Sequence, residues 1–149
     1  MDEEHTCEVY VEWKKKKKGI ISFLDDKKGE IEFSVPPEFM GHQHIVTPED
    51  LFLSSLLTCL DAYFFNMAAR TRLKFTSFRS CAKSKIVPIG PDYIFSKIDI
   101  NVYIGVKDER DAHKAERAMN IAEKGCYVAN SIKPKVKVKK HIKIEKKED

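Results

Sequence analysis

The chain is short of several things, and each shortage removes a class of function. Its four cysteines, Cys7, Cys59, Cys81 and Cys126, include no pair at CxxC spacing, so the pattern of a structural zinc site is missing. There is no glycine-rich phosphate loop, no Ser-His-Asp order and no aromatic RNA-binding motif. The opening "MDEEHTCEVY" is acidic and has no apolar stretch of the kind a secretory signal carries. The one long apolar run, Thr47 to Arg70, holds Asp61 near its middle, and a charge at bilayer depth is costly. These features lead us to expect a cytoplasmic protein with reduced thiols and no membrane span. Gln43 is the only glutamine, while lysine and glutamate abound, a bias reported for hyperthermophiles.

What is present fits one folded domain over residues 1–149. Apolar residues make up 42% of the chain, enough for one core, and 34% is charged with both signs interspersed, which argues against disorder. A net charge of +4 is too mild to imply a nucleic-acid partner by itself. "CEVYVEW" alternates with Cys7, Val9, Val11 and Trp13 on one face, as a strand does. "IISFLDDKKGEIEFSV" predicts two short strands around a turn ending at Gly29. After Pro36 and Pro37 comes a loop, and then a well-signalled helix. Thr47 can cap it, Pro48 suits its first position, and Glu49 and Asp50 suit its positive end. The helix is apolar nearly all round and is expected to be buried. Two long strands follow, near 74–88 and 93–106. A second helix from Asp108 to Gly125 has a stripe of Ala112, Ala115, Met119 and Ala122 that would let another helix approach closely, with Gly125 as its stop. "CYVANSI" suggests a short helix opening at Cys126, and "KVKVKKHIKIE" a last strand. The order β-β-β-α-β-β-α-β defines an α+β chain.

Several residues could carry chemistry. Cys59 fits either a small core hydrophobe or a reactive thiol. Cys126, at the start of a helical turn, could have a lowered pKa or could simply pack a loop. Glu49 lies ten residues before Cys59, about 15 Å along a helix, so the two cannot meet on one helix. His42 and His44 form an H-x-H pair with no third ligand nearby in sequence, and no metal is expected. The run Lys14–Lys18 has the look of a solvated turn.

Four stretches together resemble the OsmC/Ohr superfamily, the osmotically induced protein C and organic hydroperoxide resistance proteins. "VEWKKKKKG" resembles the opening strand and "FSVPPEFMG" the segment before the active-site loop. "TPEDLFLSSLLTCL" is similar to the first cysteine helix, with Glu49 and Cys59 in register. "AEKGCYVANSIKPKVKV" is similar to the second cysteine motif. The resemblance implies an intertwined homodimer, with two central helices packed against sheets that mix strands from both subunits. It implies a thiol peroxidase of the oxidative stress response, without cofactor. Cys59 would attack an organic hydroperoxide, Cys126 would resolve the sulfenic acid, and an external dithiol would reset the pair. Glu49 would orient a cationic partner beside the thiol, in a site shared between subunits. Active members carry an arginine there. Here no lysine or arginine lies between Lys28 and Arg70, so Lys17, His42 and His44 become the candidates for stabilising the thiolate. The alternative is a non-enzymatic dimer of the same fold that responds to redox state or binds a small apolar ligand. Neither a membrane nor a nucleic-acid partner is implied.

Overall fold

The computed structural model describes residues 3–145. Its chain divides into two compact units, one running up to Phe52 and one from Leu53 onward.

The first unit is an antiparallel meander of β1 (Val9–Lys15), β2 (Lys18–Phe23) and β3 (Ile31–Ser34). The lysine run is the β1–β2 turn. Lys16 takes the left-handed conformation with φ of 51°, and the Trp13 indole donates to the Lys16 carbonyl at 2.9 Å. Cys7 precedes the strand rather than joining it. All of β1 is exposed within this unit, Val9, Val11 and Trp13 included. The loop after β3 is pinned by Ser34, which is fully buried. Its amide donates to the Val46 carbonyl, and its hydroxyl accepts from the His42 amide at 3.0 Å.

Helix α1 spans Pro48–Arg70 and begins as the sequence predicts. The Asp50 amide donates to Thr47 Oγ1 at 3.2 Å, and the Thr47 amide donates to Asp50 Oδ2 at 3.0 Å. This reciprocal box satisfies two donors that a helix start leaves orphaned. The helix end carries no glycine signal. The Leu73 amide bonds to Ala68 O and the Arg72 amide to Ala69 O, a Schellman closure with Arg72 at φ of 56°. Leu73, buried just beyond, closes it with an apolar side chain.

The second unit is a three-stranded sheet with helices on one face. β4 (Phe75–Ile89) and β5 (Asp92–Val106) form a hairpin through Gly90, whose φ is 58°. β6 (Val136–Ile144) pairs in parallel with β5, so β5 is central. A parallel partner needs a crossover. α2 (Glu109–Gly125) and the short α3 (Tyr127–Asn130) supply it. Asp108 caps α2 by accepting from the Asp111 amide at 2.8 Å. The inner face of β5, Ile98, Ile100, Val102, Ile104 and Val106, is wholly buried.

Two expectations are corrected. α1 is not covered all round: only the stripe Leu56, Leu60, Phe64 and Ala68 is buried, and Phe65 is 45% exposed. Hydrophobic periodicity counts apolar side chains, not the neighbours available to cover them. The small-residue face of α2 is Ala115, Ala118, Met119 and Ala122, with Ala112 only half-buried, and α2 packs on β5 and β6.

By length and composition α1 could also cross a bilayer. Its Asp61, however, accepts a hydrogen bond from Ser80 of β4 at 2.6 Å, and Phe64 stacks on Phe78 of β4 at 5.1 Å. Those contacts make it the core helix of this unit.

Candidate active site

Cys59 sits in the middle of α1, half-buried, one turn before Tyr63. It opens on a cleft of about 480 Å³ lined by Ser55, Ala62, Tyr63, Asn66 and Tyr127 among others. None of the residues lining that cleft is charged.

Cys126 lies at the corner between α2 and α3 and is fully buried. Its thiol donates to the Leu56 carbonyl of α1 at 3.9 Å, and the Cys59 thiol lies near enough to disfavour its ionisation. The fold therefore brings together two thiols that are 67 positions apart in the chain. Tyr127 is largely exposed at the mouth.

The corner can come this close because of Gly125. As the sequence predicts, α2 ends at Gly125. It is the last helical residue and does not take the left-handed conformation, so its glycine serves another purpose. A Cβ at this position would lie 2.4 Å from the Tyr63 ring. Glycine here lets the corner pack against α1, which sets Cys126 beside Cys59. Tyr63, four residues after Cys59, stands on the same face of α1.

Of the two readings the sequence leaves open for Cys126, its surroundings favour the packed, un-ionised thiol. Its pKa is raised, first by burial and further by the neighbouring Cys59 thiol. The amides of Ala129 and Val128 pull the other way without prevailing. A thiol in low dielectric resists ionisation, and a single helical turn does not offset that. Cys126 is thus held as a neutral thiol, while Cys59 faces the cleft.

The remaining predicted residues are in the first unit. Glu49 stands in the first turn of α1, half-buried, and makes no ion pair among the described residues, the cap being supplied by Thr47 and Asp50. Lys17 donates to the Phe39 carbonyl at 3.2 Å, which ties it to the loop after β3. His42 is half-buried and His44 exposed, the latter with φ of 65°. Cys7 belongs to this unit, and Cys81 is exposed on β4. Among the described residues, no cluster of three His, Cys, Asp or Glu could hold a metal ion.

The chain is α+β with two three-stranded sheets, and its second unit holds a cleft-facing thiol near a buried one. The sequence pattern of OsmC-like proteins matches residues 41–140, spanning the boundary between the two units. The chain belongs to the OsmC-like protein family. Its fold is similar to that of an OsmC-like protein of unknown function from Vibrio cholerae, with a TM-score of 0.78 at 19% identity over 92% of this chain and 99% of that one. A hypothetical protein from Aquifex aeolicus gives 0.76 at 18% identity, covering 95% and 99%. An organic hydroperoxide resistance protein from Elizabethkingia anophelis gives 0.71 at 18% identity, covering 97% and 100%. At such identities the likeness shows the fold alone. No curated protein matches the chain.

Proposed function

We propose that this protein is a cytoplasmic, dimeric thiol peroxidase that reduces organic hydroperoxides. The observation that carries the reading is the Cys59–Cys126 pair, one thiol open to an uncharged cleft and the other buried against it. The asymmetry sorts the roles. The Cys59 thiolate attacks the O–O bond of ROOH. The S–O bond forms, the O–O bond breaks, and RO⁻ leaves to take a proton as ROH. Cys59 is now a sulfenic acid. Cys126 then displaces its hydroxyl as water, and the two sulfurs become a disulfide. An external dithiol returns both thiols by exchange. The apolar and aromatic lining of the cleft suits an organic hydroperoxide better than hydrogen peroxide. The solved organic hydroperoxide resistance protein of the same fold supports the reading. Lys17, or a protonated His42 or His44 oriented by Glu49, is the source of positive potential in this scheme. In this scheme the site is shared between the two subunits of the dimer.

The test is consumption of cumene hydroperoxide with dithiothreitol. Wild type should turn over, and Cys59→Ser should fall to background. Cys126→Ser should accumulate a Cys59 sulfenic acid that dimedone traps. Lys17→Ala or His42→Ala/His44→Ala should slow the reaction tenfold or more, according to which cation serves. The absence of wild-type turnover beyond Cys59→Ser would overturn the reading. The uncharged lining favours one second reading, a non-enzymatic dimer that holds a small apolar ligand. In that case the ligand should protect Cys59 from alkylation while no hydroperoxide is consumed.

A further inference from the structure

The outer face of the second sheet, opposite the helices, has no role in the thiol chemistry. Strand register places its side chains in rows across β4, β5 and β6: Lys83–Asp99–Lys137, Cys81–Asn101–Lys139, Arg79–Tyr103–His141 and Ser77–Gly105–Lys143. Alternation puts these side chains on the face away from the buried Ile98, Ile100, Val102 and Ile104. Five cations stand there, Arg79, Lys83, Lys137, Lys139 and Lys143, and all are exposed. None is ion-paired among the described residues. Two carboxylates share the face. Asp99 is half-buried, and Glu145 is occupied by the hydroxyls of Thr76 and Ser77. The mild net charge of the whole chain hides this segregation.

The arrangement is linear. Alternate residues of a strand are about 6.6 Å apart, so Lys137, Lys139 and Lys143 form a line about 20 Å long on β6. Arg79 and Lys83 form a second line on β4, about 10 Å away across β5. Arg79 is braced, its guanidinium carbon 4.8 Å from the Tyr103 ring centre. His141 stacks on Tyr103 at 4.6 Å and bonds Asn101 at 2.9 Å. With Arg79 and His141 as its neighbours on the two adjoining strands, Tyr103 offers no free platform for a base.

We infer that this face binds the backbone of a single-stranded nucleic acid, laid along β6 and β4 and without sequence preference. Two parallel lines of unpaired cations at strand spacing complement a chain of regularly spaced phosphates. The covered aromatic leaves phosphate contact as the source of affinity, and such binding is weak and strongly salt-dependent. The four rows carry no exposed large apolar side chain to insert into a lipid surface.

The test is fluorescence anisotropy of a fluorescein-labelled 20-mer of deoxythymidine titrated with the full chain at several KCl concentrations. Binding is expected with Kd of about 10⁻⁶ to 10⁻⁴ M near physiological salt, weakening about 0.7 log units per log unit of salt for each phosphate engaged. K137Q/K139Q/K143Q should weaken it at least tenfold and flatten the salt slope by about 2. R79Q/K83Q, on the other strand, should weaken it independently. K14Q/K15Q/K16Q, in the β1–β2 turn, should change it less than twofold. Three results would overturn the inference: no binding at 50 mM KCl, equal binding by wild type and both sheet variants, or tighter binding of a duplex or of phosphatidylserine vesicles than of the single strand.

Discussion

Asp61 shows at the scale of one residue how the core is compromised. It stands on α1 with Leu60 and Phe64, and its carboxyl is half-buried. Ser80 satisfies one oxygen, while Oδ1 is buried with no hydrogen-bond partner. Burial raises the pKa above 3.8, and the Ser80 hydroxyl opposes the shift without cancelling it. A raised folded pKa means that the folded chain holds its proton more tightly than the unfolded one. The contribution is fully favourable below 3.8 and is lost as pH rises through the folded value. At pH 7 the charged carboxylate therefore destabilises the fold. Asp61→Asn keeps an acceptor for Ser80 and removes the charge. Thermal melts should show the variant more stable at pH 7, with the advantage vanishing below about pH 3.8, the unshifted value. An unchanged or lower melting temperature at pH 7 would show that the carboxylate has a compensating partner in the assembled protein.

Among the elements, the α2–α3 corner matters most to the site. It is built from Gly125, which admits the Tyr63 ring, and Cys126, whose thiol meets both the Leu56 carbonyl and Cys59. Gly125→Ala would raise helix propensity by about 1 kcal/mol in a free helix. Here the added methyl meets a ring held in the core, and overpacking of this kind costs about 1–3 kcal/mol. The variant should lose stability despite its better helix former. It should also form the Cys59–Cys126 disulfide more slowly after a hydroperoxide pulse, measured by mass spectrometry, while initial oxidation of Cys59 is spared. Equal disulfide rates in variant and wild type would show that the corner tolerates displacement.

For the whole molecule, the exposed apolar surface is the telling feature. In the first unit Val9, Val11 and Trp13 are 64, 62 and 70% exposed on one face of β1. In the second, α1 is buried along a single stripe and leaves Phe65 uncovered. Apolar surface of that extent marks an interaction site. A homodimer that covers it should bury more than about 2,000 Å², in the range of obligate interfaces. Sedimentation should give twice 17.2 kDa at micromolar concentration. Val11→Glu/Trp13→Glu should shift the protein to monomer and lower its melting temperature. A wild-type chain that sediments as a stable folded monomer would refute the dimer and, with it, a site shared between subunits.

Much was legible in the sequence because it is encoded locally. The Thr47–Asp50 box, the alternation of β5 and β6 and the motifs around Cys59 and Cys126 depend on residues a few positions apart, and these positioned α1, the sheet and both thiols. Other features arise only between distant segments. Gly125 read correctly as the end of α2, but nothing nearby in sequence announces the Tyr63 ring it admits. Cys126 could be read either as an activated thiol or as loop packing, because a helix start is local, whereas burial, which raises its pKa, depends on the whole unit. Arg72 gave no sign of a left-handed helix end, since its conformation is imposed by the closure onto Ala68 and Ala69. The cations of β4 and β6 look interspersed along the chain and become a single face only through strand register. Periodicity tells which side of an element is apolar or charged, and tertiary structure alone decides what that side meets.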